Sequence, residues 1–420
     1  MKKLKIGLFL DNYYPAVDGV VLVVDNLATE LAKYNDVTVV IPYTNTYEED
    51  INKPYKIIRI PSFPVPFTEY RLGKYNSSLS KEYKALLKEN FDVIHIHSPF
   101  TIGNLGLKIA KKLNIPSIIT MHTRFDFEIR KVIDNDLVVN KMIKEIIKLY
   151  NKCDKCIAMN NAIIKAYAEY GYKYTPTIIG NGTELKPLKN PEESIAKINH
   201  KFNLSNDDIV FLFVGRITSI KNIFFILDSL KLLKEDNFNF KMIYVGCGPD
   251  EAKLKRKIKE YKMNNEVIMT GRIMNRNILS AIYKRADLFL FPSLFDTSSL
   301  VQIEAAVNET PGLFIENSVT ADTITNNVNG YTAKLDTVEY KNRIKEIMSD
   351  KKKLQKVSVN ARKMLGKSWQ EIAKETYKLY LKEIQNKEEK WEKKCITWQL
   401  LKGKLLHLIL SMQQPLDAPY

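Results

Sequence analysis

Short runs of Ile, Val, Leu and Phe, many of them apolar on both faces, alternate along this chain with longer stretches of helical period. The runs Lys5–Leu10, Val37–Ile41, Ile57–Ile60, Asp92–His97, Ser117–Met121, Cys156–Met159 and Thr177–Ile179 read as strands. A second series follows at Ile209–Val214, Lys241–Val245, Glu266–Met269, Leu288–Phe291 and Gly312–Ile315. Strands apolar on both faces are strands covered by helices on both sides. Between them, Val20–Tyr34, Asn104–Leu113 and Leu137–Asn151 space their apolar residues as amphipathic helices do. Strand alternating with helix predicts a parallel sheet with right-handed crossovers, and two series predict two doubly wound α/β domains. The polar, proline-containing stretch Glu184–Pro191 breaks the pattern and puts a boundary between Asn181 and Ser205. Doubly wound sheets bind ligands outside the carboxyl ends of their strands, so chemistry belongs in the loops there.

Composition narrows the classes. The 420 residues suffice for two or three domains, and a hydrophobic fraction of 45% suits a full core. No stretch approaches the roughly 20 apolar residues of a spanning helix. The run Lys5–Leu10 is too short for a secretory leader, so the protein is expected to stay in the cytoplasm. Cys153 and Cys156 form a C-x-x-C without a second pair or a His cluster, and read as core thiols rather than zinc ligands. The formal charge of +16 favours anionic partners, or reflects nothing more than a Lys-, Asn- and Ile-rich composition. No nucleic-acid-binding motif accompanies it, and nucleic acid is not expected as a partner.

Five loops carry candidate chemistry. The first strand leads through Asp18-Gly19-Val20 into a helix, where a glycine would let backbone amides approach an anion; a plain strand-to-helix turn reads equally well. His95 and His97 share one face of their strand, with no third metal ligand evident. His122 leaves the tip of the next strand and can hydrogen-bond a ligand hydroxyl. Gly215-Arg216 closes a strand, and Lys221 follows five residues after Arg216. An Arg fork and a Lys point charge so placed can clamp a diphosphate, or can be two solvated side chains. Asp296 precedes a helix and Glu304 lies about two turns along it, with backbone amides near Ser299 and Leu300 open to phosphate. Alternatively, Asp296 caps the helix and Glu304 pairs with a neighbouring base.

Taken in order, these loops resemble glycosyltransferase family 4, of GT-B fold, over the span from Lys5 to about Glu383. Arg216 and Lys221 look like its diphosphate clamp, and Asp296 with Glu304 like its E-x7-E pair with Asp first. Asp18-Gly19-Val20 resembles its glycine loop, His122-Thr123 its cleft histidine, and Ile179–Thr183 the element before its interdomain linker. The helix from Ser368-Trp369 to Tyr380 resembles its carboxyl-terminal crossover. The resemblance implies an amino-terminal domain over 1–190 with a crossover helix at 368–388, a nucleotide-sugar domain over 191–367, and a basic tail at 389–420.

It also implies roles. His122, Arg216, Lys221 and Asp296 would be catalytic, with His122 facing the transferred sugar and Asp296 holding its hydroxyls. Gly19, Gly215, Ser299 and Leu300 would face donor phosphates, Gly271 and Arg272 the base, and Glu304 the ribose. The family retains anomeric configuration, usually without metal, so no cofactor is expected. Asp296-Thr297-Ser298-Ser299 departs from the family's E-G-F-G, which could alter sugar choice or mark a nucleotide-sugar-binding subunit with reduced activity. Within the family, Asp18–Val20 and His95–Pro99 look most similar to bacterial enzymes that glucosylate diacylglycerol. That similarity implies UDP-glucose as donor and a lipid or glycan acceptor. An anionic membrane surface fits the charge and the Trp-, Lys- and Leu-containing segment Trp391–Leu410.

Overall fold

The computed structural model describes residues 2–14, 18–44, 52–65, 71–74, 80–130, 132–294, 296–297 and 299–412, without the side chains of 394–396, 398–400 and 403–412. Two parallel sheets organise the chain. The first is built from β1 (Lys5–Phe9), β2 (Asp36–Pro42), β3 (Lys56–Ile60), β6 (Val93–Ile96), β7 (Ser117–Met121), β8 (Lys155–Ala158) and β9 (Thr177–Ile178). A small antiparallel hairpin, β4 (Ser62–Pro64) with β5 (Arg71–Gly73), stands beside it. The second sheet comprises β10 (Val210–Val214), β11 (Lys241–Val245), β12 (Val267–Met269), β13 (Leu288–Leu290), β14 (Gly312–Ile315) and β15 (Tyr331–Ala333).

The strand orders are β3-β2-β1-β6-β7-β8-β9 and β12-β11-β10-β13-β14-β15. Both wind outward from a central strand and then reverse. β1 pairs with β2 and β6 at once, Ile6 facing Val37 on one side and Val93 on the other. β10 sits likewise between β11 and β13. The order of winding therefore reverses between β1 and β6 and between β10 and β13, and a crevice opens at the carboxyl end of each such junction. The loops singled out from sequence leave these four strands and β7.

Both faces of the first sheet are buried along its central strands, which are largely apolar. Phe9, Ile94, Ile96 and Ile119 pack on one side with the helix Thr101–Leu113. Leu8, Val39 and Ile157 pack on the other with the helix Gly19–Ala32 and with Trp369, Ile372, Tyr377 and Tyr380. Those four come from the far end of the sequence. The helix Trp369–Met412 returns from the second domain and lies along the first, the Tyr377 hydroxyl bonding the Lys2 carbonyl. It runs unbroken through Gly403, so the crossover and the 389–412 part of the tail are one helix; residues 413–420 lie outside the described residues. Each large apolar side chain buried there contributes about 1.5–3 kcal/mol.

The connection between domains is narrow. Thr183 exchanges backbone hydrogen bonds with Lys367 (2.9 Å) and Trp369 (3.3 Å), so the two crossing segments touch. A Cβ on Gly182 would lie 2.7 Å from the backbone of Ser368 and Trp369, and only glycine fits.

Candidate active site

On the first domain the site is anchored by Asp11, at the end of β1. Its buried carboxylate accepts from Thr101 Oγ1 (2.9 Å), Ser98 Oγ (2.7 Å) and the amides of Ile102 (2.7 Å) and Gly103 (3.3 Å). It thus caps the helix Thr101–Leu113 from another strand and fixes the segment that follows His97. Burial raises its pKa against the pull of those donors. Gly19 opens the helix Gly19–Ala32, whose cap is Asp18 accepting from the Val21 amide at 2.8 Å. A Cβ at Gly19 would meet nothing within 4 Å, so no packing within the described protein demands a glycine there. Pro15–Val17 of this loop lie outside the described residues.

Behind this loop stand three buried imidazoles. His95 bonds Tyr380 Oη (2.7 Å) and Thr120 Oγ1 (2.6 Å), which makes it a fastener for the returning helix. His97 Nδ1 lies 3.0 Å from His122 Nε2. Burial pushes His95 and His122 down to about 3 and His97 well below its ordinary value, so all three are neutral at physiological pH.

On the second domain the strand ends are glycines. Gly246 donates to the Gly271 carbonyl (2.9 Å) and Gly215 to the Val245 carbonyl (3.0 Å), aligning the ends of β10, β11 and β12. Gly246 has φ +139°, and a Cβ on it would lie 1.9 Å from the Gly215 carbonyl oxygen. Gly271 has φ +69° with open space beside it. Backbone alone forms this floor, which suits close approach by a flat or phosphorylated ligand. Arg272, beyond it, is exposed.

Arg216 is exposed and makes no ion pair or hydrogen bond among the described residues. Lys221 ends the 3-10 turn Ser219–Lys221, and Asn222 behind it takes φ +55° and ties the loop to the Pro292 carbonyl at 2.8 Å. That tie aims Lys221 across to Asp296, with which it forms an ion pair. Asp296 therefore does not cap the following helix, as one sequence reading held. Ser299 takes that position and makes no side-chain capping bond to the helix Leu300–Val307. Asp296 Oδ2 is buried without a partner among the described residues. Phe295 and Ser298 of this turn lie outside the described residues.

Glu304 is the fifth residue of the helix Leu300–Val307, a little over one turn along rather than two. Its carboxylate accepts from Arg276 Nη2 (2.6 Å) and Tyr283 Oη (3.0 Å), and burial raises its pKa. The pairing with a neighbouring base, raised from sequence as the alternative role, is present in the structure.

The two halves meet at the turn Asp296–Thr297. Thr297 Oγ1 donates to the His122 carbonyl (2.7 Å), and Asn160 Nδ2 donates to the Thr297 carbonyl (2.7 Å). Leu300 packs against the apolar core of the first domain. Lys221, Asp296, Thr297 and His122 thus form one connected line across the domain junction. Beside it opens a cleft of about 670 Å³, bordered by Gly19, His97, His122, Asn181, Thr297 and Leu300. Apolar Val20, Val23, Leu72, Phe125 and Ile129 also line it. Gly215, Arg216, Lys221, Gly271, Arg272, Asp296, Ser299 and Glu304 do not border this cleft. Sequence reading missed Asp11, Asn160, Thr297, Arg276 and Tyr283. Only Asp11 carried a signal, a carboxylate directly after the apolar strand Lys5–Leu10. Among the described residues no group of three or more His, Cys, Asp or Glu is placed to hold a metal ion.

Comparison with known proteins gives this arrangement a family. Residues 17–186 match Glycosyltransferase Family 4, and residues 194–364 match Glycosyl transferases group 1. The alpha-monoglucosyldiacylglycerol synthase of Streptococcus pneumoniae is 28% identical over 315 residues, covering 73% of this chain and 70% of that protein. The enzyme of the same name from Acholeplasma laidlawii is 29% identical over 320 residues, covering 73% and 79%. Among solved structures, Anabaena HepE in complex with UDP and glucose superposes with a TM-score of 0.69 at 16% identity, over 90% of this chain and 99% of that one. The chain is thus a glycosyltransferase enzyme of GT-B fold, a family 4 domain followed by a group 1 domain.

Proposed function

We propose that this enzyme transfers a hexose from a nucleotide-diphosphate sugar to a lipid such as diacylglycerol, or to a cell-envelope glycan, with retention of configuration. UDP-glucose is the favoured donor, by likeness to the two synthases. The observation that carries the reading is the junction itself: Lys221, in the loop after β10, faces a carboxylate whose second oxygen has no partner among the described residues, next to a cleft lined by both polar and apolar side chains.

In this reading the glycine floor at Gly215 and Gly271 admits the nucleotide. Arg216 and Lys221 balance charge on the departing diphosphate, and the uncapped amides at Ser299 and Leu300 add donors. Glu304, already oriented by Arg276 and Tyr283, accepts from the ribose. Asp296 Oδ2 accepts from a hydroxyl of the transferred sugar, and neutral His122 faces the same sugar. No nucleophile from the protein is needed if the departing diphosphate takes the acceptor's proton on the face it leaves. The protein supplies charge stabilisation and excludes water, and neither metal nor other cofactor enters.

The apolar side chains in the cleft lining suit an acyl-bearing acceptor. Outside it, Val132 (81% exposed), which borders the cleft, and Leu137 (82% exposed) are the most exposed large apolar side chains among the described residues. Exposed Lys141 and Lys144 follow on the helix Asp136–Tyr150. Apolar side chains with adjacent lysines suit an anionic bilayer, and we place the enzyme at the inner face of the cell membrane. No helix among the described residues is long and apolar enough to cross a membrane.

The second reading, a nucleotide-sugar-binding subunit of reduced activity that supports a partner enzyme, rests on the altered turn and on the ion pair that occupies both Lys221 and Asp296. The test incubates the purified chain with UDP- and GDP-sugars, with and without anionic vesicles containing diacylglycerol, and follows nucleotide-diphosphate release. Release from one donor that rises with lipid is the expected result. Release indifferent to lipid redirects the acceptor to a soluble glycan. Donor binding without release from any donor favours the second reading.

A further inference from the structure

Of the three buried imidazoles, the proposed function uses His122, and His95 is accounted for as a fastener. His97 is not. It borders the cleft, is only 3% exposed, and its ring lies between the other two, 4.0 Å from His95 and 5.3 Å from His122 by ring centroids. His95 is bonded at both nitrogens, so one neighbour of His97 is immobile. Its Nδ1 is engaged with His122, while its Nε2 is buried with no partner among the described residues. A buried polar nitrogen left unmet is destabilising, and an apolar ring would fill the same space without that cost.

The proton count along the pair constrains what it offers. Both rings are neutral, and the 3.0 Å bond between them holds one proton. If that proton sits on His122 Nε2, His97 carries its own on Nε2, and His122 Nδ1 is left as an acceptor. If it sits on His97 Nδ1, both ends reverse. His122 Nδ1 has no partner among the described residues. The pair therefore presents one donor and one acceptor, and the sense of one end sets the sense of the other.

We propose that His97 Nε2 is a hydroxyl-reading position for the transferred sugar, its donor or acceptor sense fixed together with that of His122. This rests on the transferase reading above. The transferred sugar is favoured over the acceptor because of what lies alongside. Thr297, which bonds the His122 carbonyl, borders the same cleft as His97, and Asp296 next to it holds a buried carboxylate oxygen without a partner among the described residues. Two unmet polar atoms thus belong to one cleft-side residue and to the neighbour of another. Sugar hydroxyls, each a donor and an acceptor at once, satisfy both.

The test measures kcat/KM of the full chain for its best nucleotide sugar and for the singly deoxygenated versions of that donor, in the unaltered enzyme, His97→Phe and His97→Gln. Removing the hydroxyl read by His97 should cost the unaltered enzyme about ten- to hundredfold. In His97→Phe that one penalty should shrink to about threefold or less while the others persist. His97→Gln, which restores a polar group, should recover part of it and serves where the Phe variant folds poorly. Deoxy penalties unchanged in both variants would overturn the proposal and leave His97 a packing residue. In a parallel series with deoxygenated acceptors, a penalty that shrinks only there would overturn its assignment to the transferred sugar. An unaltered enzyme that neither binds nor turns over any donor would instead sink the transferase reading, and this proposal with it.

Discussion

At the scale of single residues, the junction is defined by three charged groups in different states. Among the described residues Arg216 is unpaired, Lys221 is held by Asp296, and one Asp296 oxygen has no partner. In the proposed mechanism a diphosphate arriving between the cations would compete with Asp296 for Lys221, and the ion pair would be a placeholder that the donor displaces or shares. Arg216→Ala and Lys221→Ala are each expected to lose about 2–4 kcal/mol of transition-state stabilisation, read as a fall in kcat/KM, because developing phosphate charge goes unmatched. Near-normal turnover in both would remove the clamp from the mechanism. The strand-end glycine Gly215 and the two cations five residues apart, Arg216 and Lys221, were legible in the sequence because they are local features. The Lys221–Asp296 pair was not: 75 residues separate the partners, and only the winding of β10 next to β13 brings them together. The role of Thr297 was hidden for the same reason, its partner being the backbone of a residue in the other domain.

At the scale of elements, β6 and β7 deliver their histidines to one place because neighbouring parallel strands end side by side. His95 faces Ile118 in the pairing of the two strands and reaches Thr120 on the same face. The consequence is an acid-sensitive packing. In the unfolded chain each imidazole titrates near 6.5, whereas burial in the fold pushes His95 and His122 down to about 3. The unfolded state thus binds the extra protons, and this share of stability, fully present above about pH 6.5, is lost as pH falls towards 3. His95→Gln keeps groups that can bond Tyr380 and Thr120 but cannot titrate. Urea midpoints between pH 7 and 5 should therefore fall less steeply in this variant, by up to about 1.4 kcal/mol per pH unit. An identical slope would mean that His95 is not held neutral. The long buried strands were readable from their apolar runs, and all seven strands of the first sheet fall within one residue of the expected spans. The hairpin β4–β5 and the three-residue β15 were not, because three residues carry no period.

At the scale of the whole molecule, two segments cross between domains and touch at Thr183 and Ser368, with Gly182 in the narrowest place. Gly182→Val should force these backbones apart and lower stability by more than about 1 kcal/mol, while an exposed control such as Gly19→Ala, with nothing within 4 Å, should melt with the unaltered protein. Equal melting of all three would show that the crossing tolerates separation. The returning helix has a further consequence, for how the chain is made. Trp369, Ile372, Tyr377 and Tyr380 complete the core against Leu8 and Val24, yet a ribosome emits them some 190 residues after β9. At about 5–20 residues per second, that apolar face waits on the order of ten to forty seconds for its cover. The second domain, whose sheet lies in one unbroken stretch of sequence, can meanwhile finish its own core. A nascent chain caught in that interval is the species to which a chaperone, or a second nascent chain, would bind. The domain begun first is completed last.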